Sequence, residues 1–90
     1  MKTYKIYISG TVQGVSFRQF IKEQADKIGV RGYVRNLEDG RVEIFAEGID
    51  EKVNKFLEIC KVGYPFAKIK NVEYVETKHH DFRDFRIVRI

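Results

Sequence analysis

The sequence has a single cysteine, Cys60, so no disulfide can close within the chain and a fold stapled by bridges is excluded. It lacks any apolar run near the roughly 18 residues that a membrane helix needs. No basic stretch followed by an apolar one opens it, so neither a membrane span nor a signal peptide is expected, and the chain is expected to stay in the cytoplasm. No tract of five consecutive Lys or Arg occurs, and no repeat, linker or low-complexity segment interrupts the pattern. What is present describes one globular domain over residues 1–90, with 43% hydrophobic and 33% charged residues. The net charge of +4 favours anionic partners, from a small phosphate to nucleic acid, and is weak evidence by itself because the charges are spread along the chain.

Residues 3–9 alternate, with Tyr4, Ile6 and Ile8 on one face and Lys5, Tyr7 and Ser9 on the other, the pattern of a half-buried strand. The period then changes. Phe17, Ile21, Ala25 and Ile28, with Phe20 beside them, form a helical stripe that Gly29 should end. Ser16 with Gln19 three residues later reads as a capping box that starts this helix at Ser16. Residues 31–36 and 41–47 are two extended runs joined by Leu37-Glu38-Asp39-Gly40, and Asp-Gly is a strong hairpin signal. In the second run Val42, Ile44 and Ala46 alternate with Glu43, Phe45 and Glu47, which predicts one packed and one partly wet sheet face.

A second helix follows, with Asp50 as N-cap, a buried stripe of Val53, Phe56, Leu57 and Cys60, Gly63 as its stop and Pro65 against its resumption. Two last strands, near 68–76 and 83–89, are linked by Thr77-Lys78-His79-His80-Asp81 as a hairpin turn. Ile69 is out of phase with Val72 and Tyr74, which predicts a bulge or a slipped start there. The order β-α-β-β-α-β, with its last strand split, is that of an α+β ferredoxin-like sandwich, two helices on one antiparallel sheet.

The chemistry concentrates in Gly10-Thr11-Val12-Gln13-Gly14-Val15-Ser16-Phe17-Arg18, where a strand enters and a helix leaves. Such a turn points unpaired amides outward at the positive end of a helix dipole, a site prepared for an oxyanion. Gly14 lets the backbone curl until the N–H groups of Gln13, Gly14, Val15, Ser16, Phe17 and Arg18 face one point; an ordinary loop glycine is the bland alternative. Arg18 stands in a first helical turn, where the dipole prefers acids, and its planar fork matches phosphate or carboxylate. If Ser16 caps the amide of Arg18 or Gln19, that N–H is withdrawn from a ligand, and both arrangements stay open. Asn36 closes an extended run just before a turn, where Asn is routine; its amide can also donate to and accept from one water. Arg35 should face the other way and be solvated.

No general acid or base stands out. The only histidines, His79 and His80, are neighbours whose side chains point apart, and no other ligand cluster joins Asp81 beside them, so no metal is expected. Cys60 reads as core.

Gly10-x-Val12-Gln13-Gly14-Val15-x-Phe17-Arg18, followed by Gly32-Tyr33-Val34-Arg35-Asn36, resembles the paired signature of the acylphosphatases. The resemblance extends over essentially the whole chain, through Asp39-Gly40-x-Val42-Glu43, Gly48, Gly63, Pro65, Ala67 and Phe85-x-Ile87. Tyr33 replaces the commoner tryptophan, and Tyr64 stands where a proline is usual. The resemblance implies a small cytoplasmic hydrolase that splits an acyl phosphate into carboxylate and inorganic phosphate. Arg18 and the loop from Gln13 would hold the phosphoryl group and Asn36 the attacking water, with no cofactor, metal, membrane or nucleic-acid partner, in a monomer. The lack of a general acid fits this reaction, because a carboxylate of pKa about 4 leaves without a proton.

An RNA-binding module is the rival from another class, since the RNA-recognition motif shares this element order and Tyr7, Tyr33 and Phe45 fall on the sheet face away from the helices. Arg31-Gly32-Tyr33 imitates the start of its RNP1 stretch, but Val34-Arg35-Asn36 breaks the aromatic pattern. A third reading is the acylphosphatase-like domain of a hydrogenase maturation factor; a chain ending at Ile90 points instead to a free-standing protein.

Overall fold

A computed structural model describes residues 1–13, 15–63 and 67–89, and of Val15 the main chain alone. Gly14 and Pro65, both singled out in the sequence, lie outside the described residues. The elements follow in the order β1 (Lys2–Thr11), α1 (Val15–Ile28), β2 (Arg31–Asn36), β3 (Val42–Gly48), α2 (Asp50–Val62), β4 (Lys68–Glu76) and β5 (Phe85–Ile87). The five strands form one sheet in the order β4-β1-β3-β2-β5. Two helices packed on it give the expected ferredoxin-like α+β sandwich. No helix among the described residues is long and apolar enough to cross a membrane.

The period-two and period-3.6 stripes read from the sequence meet in one core. Tyr4, Ile6 and Ile8 of β1 pack with Val34 of β2, with Val42, Ile44 and Ala46 of β3, and with the helical residues Phe17, Ile21, Ala25, Val53, Phe56, Leu57 and Cys60. Each fully buried Ile or Phe contributes about 1.5–3 kcal/mol by leaving water. Burial also raises the Cys60 thiol well above its ordinary value, so it stays a neutral apolar group. The β2–β3 hairpin closes as expected. Gly40 adopts φ +93°, and Asp39 accepts the Arg41 amide at 3.0 Å. The phase slip in β4 is a real irregularity: Ser9 pairs with Asn71 but Gly10 with Ile69, leaving Lys70 as the extra residue. Gly10 has φ +134°, and a Cβ there would run into the Lys68 carbonyl, so the bulge demands glycine.

Several expectations need correction. The last two strands are not a hairpin. β4 pairs antiparallel with β1 on one edge, and β5 pairs parallel with β2 on the other, so the sheet is mixed. The intervening chain crosses the face opposite the helices, which is why β3 is buried on both faces rather than wet on one. Beneath this crossing strap Glu47 accepts the Thr3 hydroxyl at 2.7 Å, the His80 amide at 2.7 Å and the Phe82 amide at 2.9 Å. Those bonds are what allow a carboxylate to be fully buried there.

The helix starts shift as well. α1 begins at Val15, which puts Ser16 inside its first turn, and the Gln19 amide donates to Glu23 at 3.4 Å instead of returning to a cap. α2 begins at Asp50 with Ile49 in the N-cap position. Asp50 and Glu51 occupy the first turn, where the dipole favours acids, and Asp50 pairs with the Met1 amino group at 3.0 Å. Arg35, finally, is not simply solvated. On the face opposite Asn36 it donates to Glu43 at 2.7 Å.

Candidate active site

β1 and β2 are both antiparallel to β3, hence parallel to each other, and β5 is parallel to β2. The C-terminal ends of these three strands therefore lie at one end of the sheet, together with the N-terminus of α1. That end is where an α/β arrangement of this kind offers main-chain donors and strand-end side chains to a ligand. The first turn of α1 carries no acidic residue that would neutralise the positive end of its dipole.

Arg18, in that turn, and Asn36, the last residue of β2, wall the same cavity of about 260 Å³, which Val88 and Arg89 complete. Asn36 Oδ1 is buried there without a hydrogen-bond partner among the described residues. Buried acceptors nearly always have a donor, and leaving one unmade costs about 1–3 kcal/mol.

The remaining loop residues divide by atom. The Phe17 side chain is in the core, so only its main chain can serve a ligand. The Ser16 side chain is exposed. Gln13 braces the loop with its side chain: Nε2 donates to the Leu37 and Arg41 carbonyls at 2.7 and 3.2 Å, tying β1's exit to the β2–β3 turn. Gly14 and the side chain of Val15 lie outside the described residues.

Sequence reasoning did not single out Arg89. It carries no motif of its own, and only the parallel pairing of β5 with β2 brings it to the cavity.

The opposite sheet face is a closed polar and aromatic cluster. Glu43 accepts from the hydroxyls of Tyr7 at 2.9 Å and Tyr33 at 2.7 Å, as well as from Arg35. Burial alone would raise the Glu43 carboxyl; the bonds from Tyr33, Arg35 and Tyr7 outweigh it and hold the group below its ordinary value. Burial and the bond to Glu43 push the Tyr33 hydroxyl up. Tyr33 stacks on Phe45 at 5.0 Å between centroids, the edges of His80 and Phe82 close on Phe45, and the Arg41 guanidinium lies 4.7 Å from the Tyr7 ring centroid. The three aromatics that the RNA-binding reading needs as a bare stacking platform are thus engaged with the protein itself. The two histidines serve the strap: His79 Nδ1 lies 3.0 Å from the Thr3 hydroxyl, and His80 stacks on Phe82. Among the described residues, no group of three or more His, Cys, Asp or Glu could hold a metal ion.

The acylphosphatase family model matches residues 4–87. This chain belongs to the acylphosphatase family. An acylphosphatase of Bacillus licheniformis is 47% identical over 88 residues, covering 97% of this chain and 98% of the relative. One from Pyrobaculum islandicum is 51% identical over 85 residues, covering 92% and 90%. The crystal structure of the Bacillus subtilis acylphosphatase superposes with a TM-score of 0.93 at 41% identity, covering 99% of this chain and all of the other. These likenesses favour the acylphosphatase reading over the RNA-binding one, and the match in fold includes the sandwich read from the sequence.

Proposed function

We propose that this chain is an acylphosphatase, a single-domain cytoplasmic monomer that hydrolyses acyl phosphates without a metal or cofactor. The observation that carries the reading is Asn36 Oδ1, buried and unpartnered among the described residues in the cavity that Arg18 walls. A water donating one proton to that oxygen satisfies it, and the water's lone pair is left free to attack phosphorus. The Arg18 guanidinium and the main-chain N–H groups from Gln13 onward hold the phosphoryl oxygens. Each charge-assisted bond contributes about 1.5–3 kcal/mol, most usefully where it strengthens as the phosphoryl group transfers.

The reaction balances without a protein acid or base. The water oxygen bonds to phosphorus as the bond between phosphorus and the bridging oxygen breaks. The carboxylate departs unprotonated, since its pKa is about 4. Both water protons end on the phosphoryl oxygens, giving inorganic phosphate. Catalysis by position and charge alone suits this leaving group far better than the alkoxide of a phosphate monoester, which would need a proton.

The test is phosphate release from benzoyl phosphate by the wild-type protein, Arg18→Ala and Asn36→Ala. Turnover in the wild type that nearly vanishes in Arg18→Ala supports the assignment; a wild-type rate retained by Arg18→Ala overturns it.

A further inference from the structure

Arg89 lines the same cavity as Arg18 and Asn36. The parallel ladder takes it there. Gly32, Tyr33 and Val34 pair with Phe85, Arg86 and Ile87, and the Val88 amide donates to the Val34 carbonyl at 2.9 Å. Two residues further along the same register, Arg89 runs level with Asn36. Arg86 is tied to Asp84 at 2.9 and 3.1 Å, whereas Arg89 has no acidic partner among the described residues, and its side chain is exposed at the cavity's rim.

A guanidinium at a cavity's rim with no acidic partner among the described residues attracts negative charge carried by whatever the cavity holds. In the proposed reaction the phosphoryl group engages Arg18 and the loop amides. The cavity, at about 260 Å³, has room for the phosphoryl group and for an acyl group beyond it, with Arg89 exposed at its edge. We infer that Arg89 is a specificity determinant favouring acyl phosphates whose acyl group carries its own carboxylate or similar anion, the class formed by phosphorylating one end of a dicarboxylic acid. The inference rests on the proposed acylphosphatase activity. A planar fork at the rim receives a carboxylate in two parallel bonds, which an uncharged acyl group cannot offer.

Succinyl phosphate and benzoyl phosphate test this, with the wild type, Arg89→Gln and Arg89→Lys compared at low and high salt. For Arg89→Gln, kcat/KM on succinyl phosphate should fall about fivefold, the scale of an exposed charge pair, through a raised KM and an unchanged kcat. The loss on benzoyl phosphate should be clearly smaller than on succinyl phosphate, Arg89→Lys should recover part of the succinyl phosphate loss, and high salt should shrink the difference between the substrates. An equal fall on both substrates would place Arg89 on the phosphoryl group and overturn the inference, as would no change on either. A wild type inert toward both would bring down the hydrolytic reading and the inference together, which separates that failure from the other two.

Discussion

Arg18 on a helix and Asn36 at a strand end face one cavity, and the Asn36 oxygen buried there has no donor among the described residues. In the proposed reaction the two side chains divide the work between a charge that holds the anion and an acceptor that holds the nucleophile. Truncating the second should leave the first intact. Asn36→Ala is expected to lower kcat about 100-fold, the effect of removing one positioned polar group, while the inhibition constant of inorganic phosphate stays within twofold. Steady-state kinetics on benzoyl phosphate with phosphate as inhibitor measures both; a large loss of phosphate affinity would instead make Asn36 an anion ligand.

Attack at phosphorus, not at the acyl carbon, is the second expectation. Hydrolysis in heavy-oxygen water should put the label in inorganic phosphate and leave the carboxylate unlabelled, as read by mass spectrometry. Label in the carboxylate would mean that Asn36 directs water to the carbonyl carbon.

Much of this was legible in the sequence, and the omissions share a cause. The Gly10–Arg18 segment declares a strand-to-helix turn through local periodicity, and the out-of-phase Ile69 declared the β4 bulge. Arg18 and Asn36 stood out as residues, but their meeting depends on β2 running parallel to β1, a consequence of tertiary pairing. The strap over the second face left no local trace. Glu43 and Glu47 read as wet because alternation records residue polarity and not the Tyr7, Tyr33, Thr3, His80 and Phe82 donors brought from distant positions. Arg89 escaped notice for the same reason: residues 83–89 were expected to pair with their sequence neighbour β4, and β5 crosses to the far edge instead.

Those buried carboxylates predict how stability responds to acid. Glu43 and Glu47 both titrate below their ordinary value of 4.5, because their hydrogen bonds outweigh the burial that alone would raise them. The unfolded chain then takes up these protons more readily than the folded one. Their stabilisation is complete above about pH 4.5 and is lost as pH falls through the lower folded-state values. Thermal unfolding should give a level Tm from about pH 5 to 7 and a steep decline below. Glu47→Gln, which keeps one acceptor oxygen but cannot ionise, should lower Tm at neutral pH and flatten the acid limb. An unchanged acid limb would remove Glu47 from the account.

Phe56 is fully buried and meets the edge of Phe85 at 5.9 Å between centroids, joining α2 to β5, the strand that leads to Arg89. Phe56→Ala should cost about 3–5 kcal/mol in urea unfolding, through lost transfer energy and the cavity left behind. A cost near 1 kcal/mol would mean that the core collapses into the space, and that β5 is seated mainly by its ladder to β2.

The most direct measurement is calorimetric titration of inorganic phosphate into the wild-type protein and Arg18→Ala, with Asn36→Ala as control. Binding to the wild type should be saturable, at least about tenfold weaker in Arg18→Ala, as expected for losing a charge-assisted fork, and preserved in Asn36→Ala. Equal affinity in the wild type and Arg18→Ala would contradict the proposed role of Arg18.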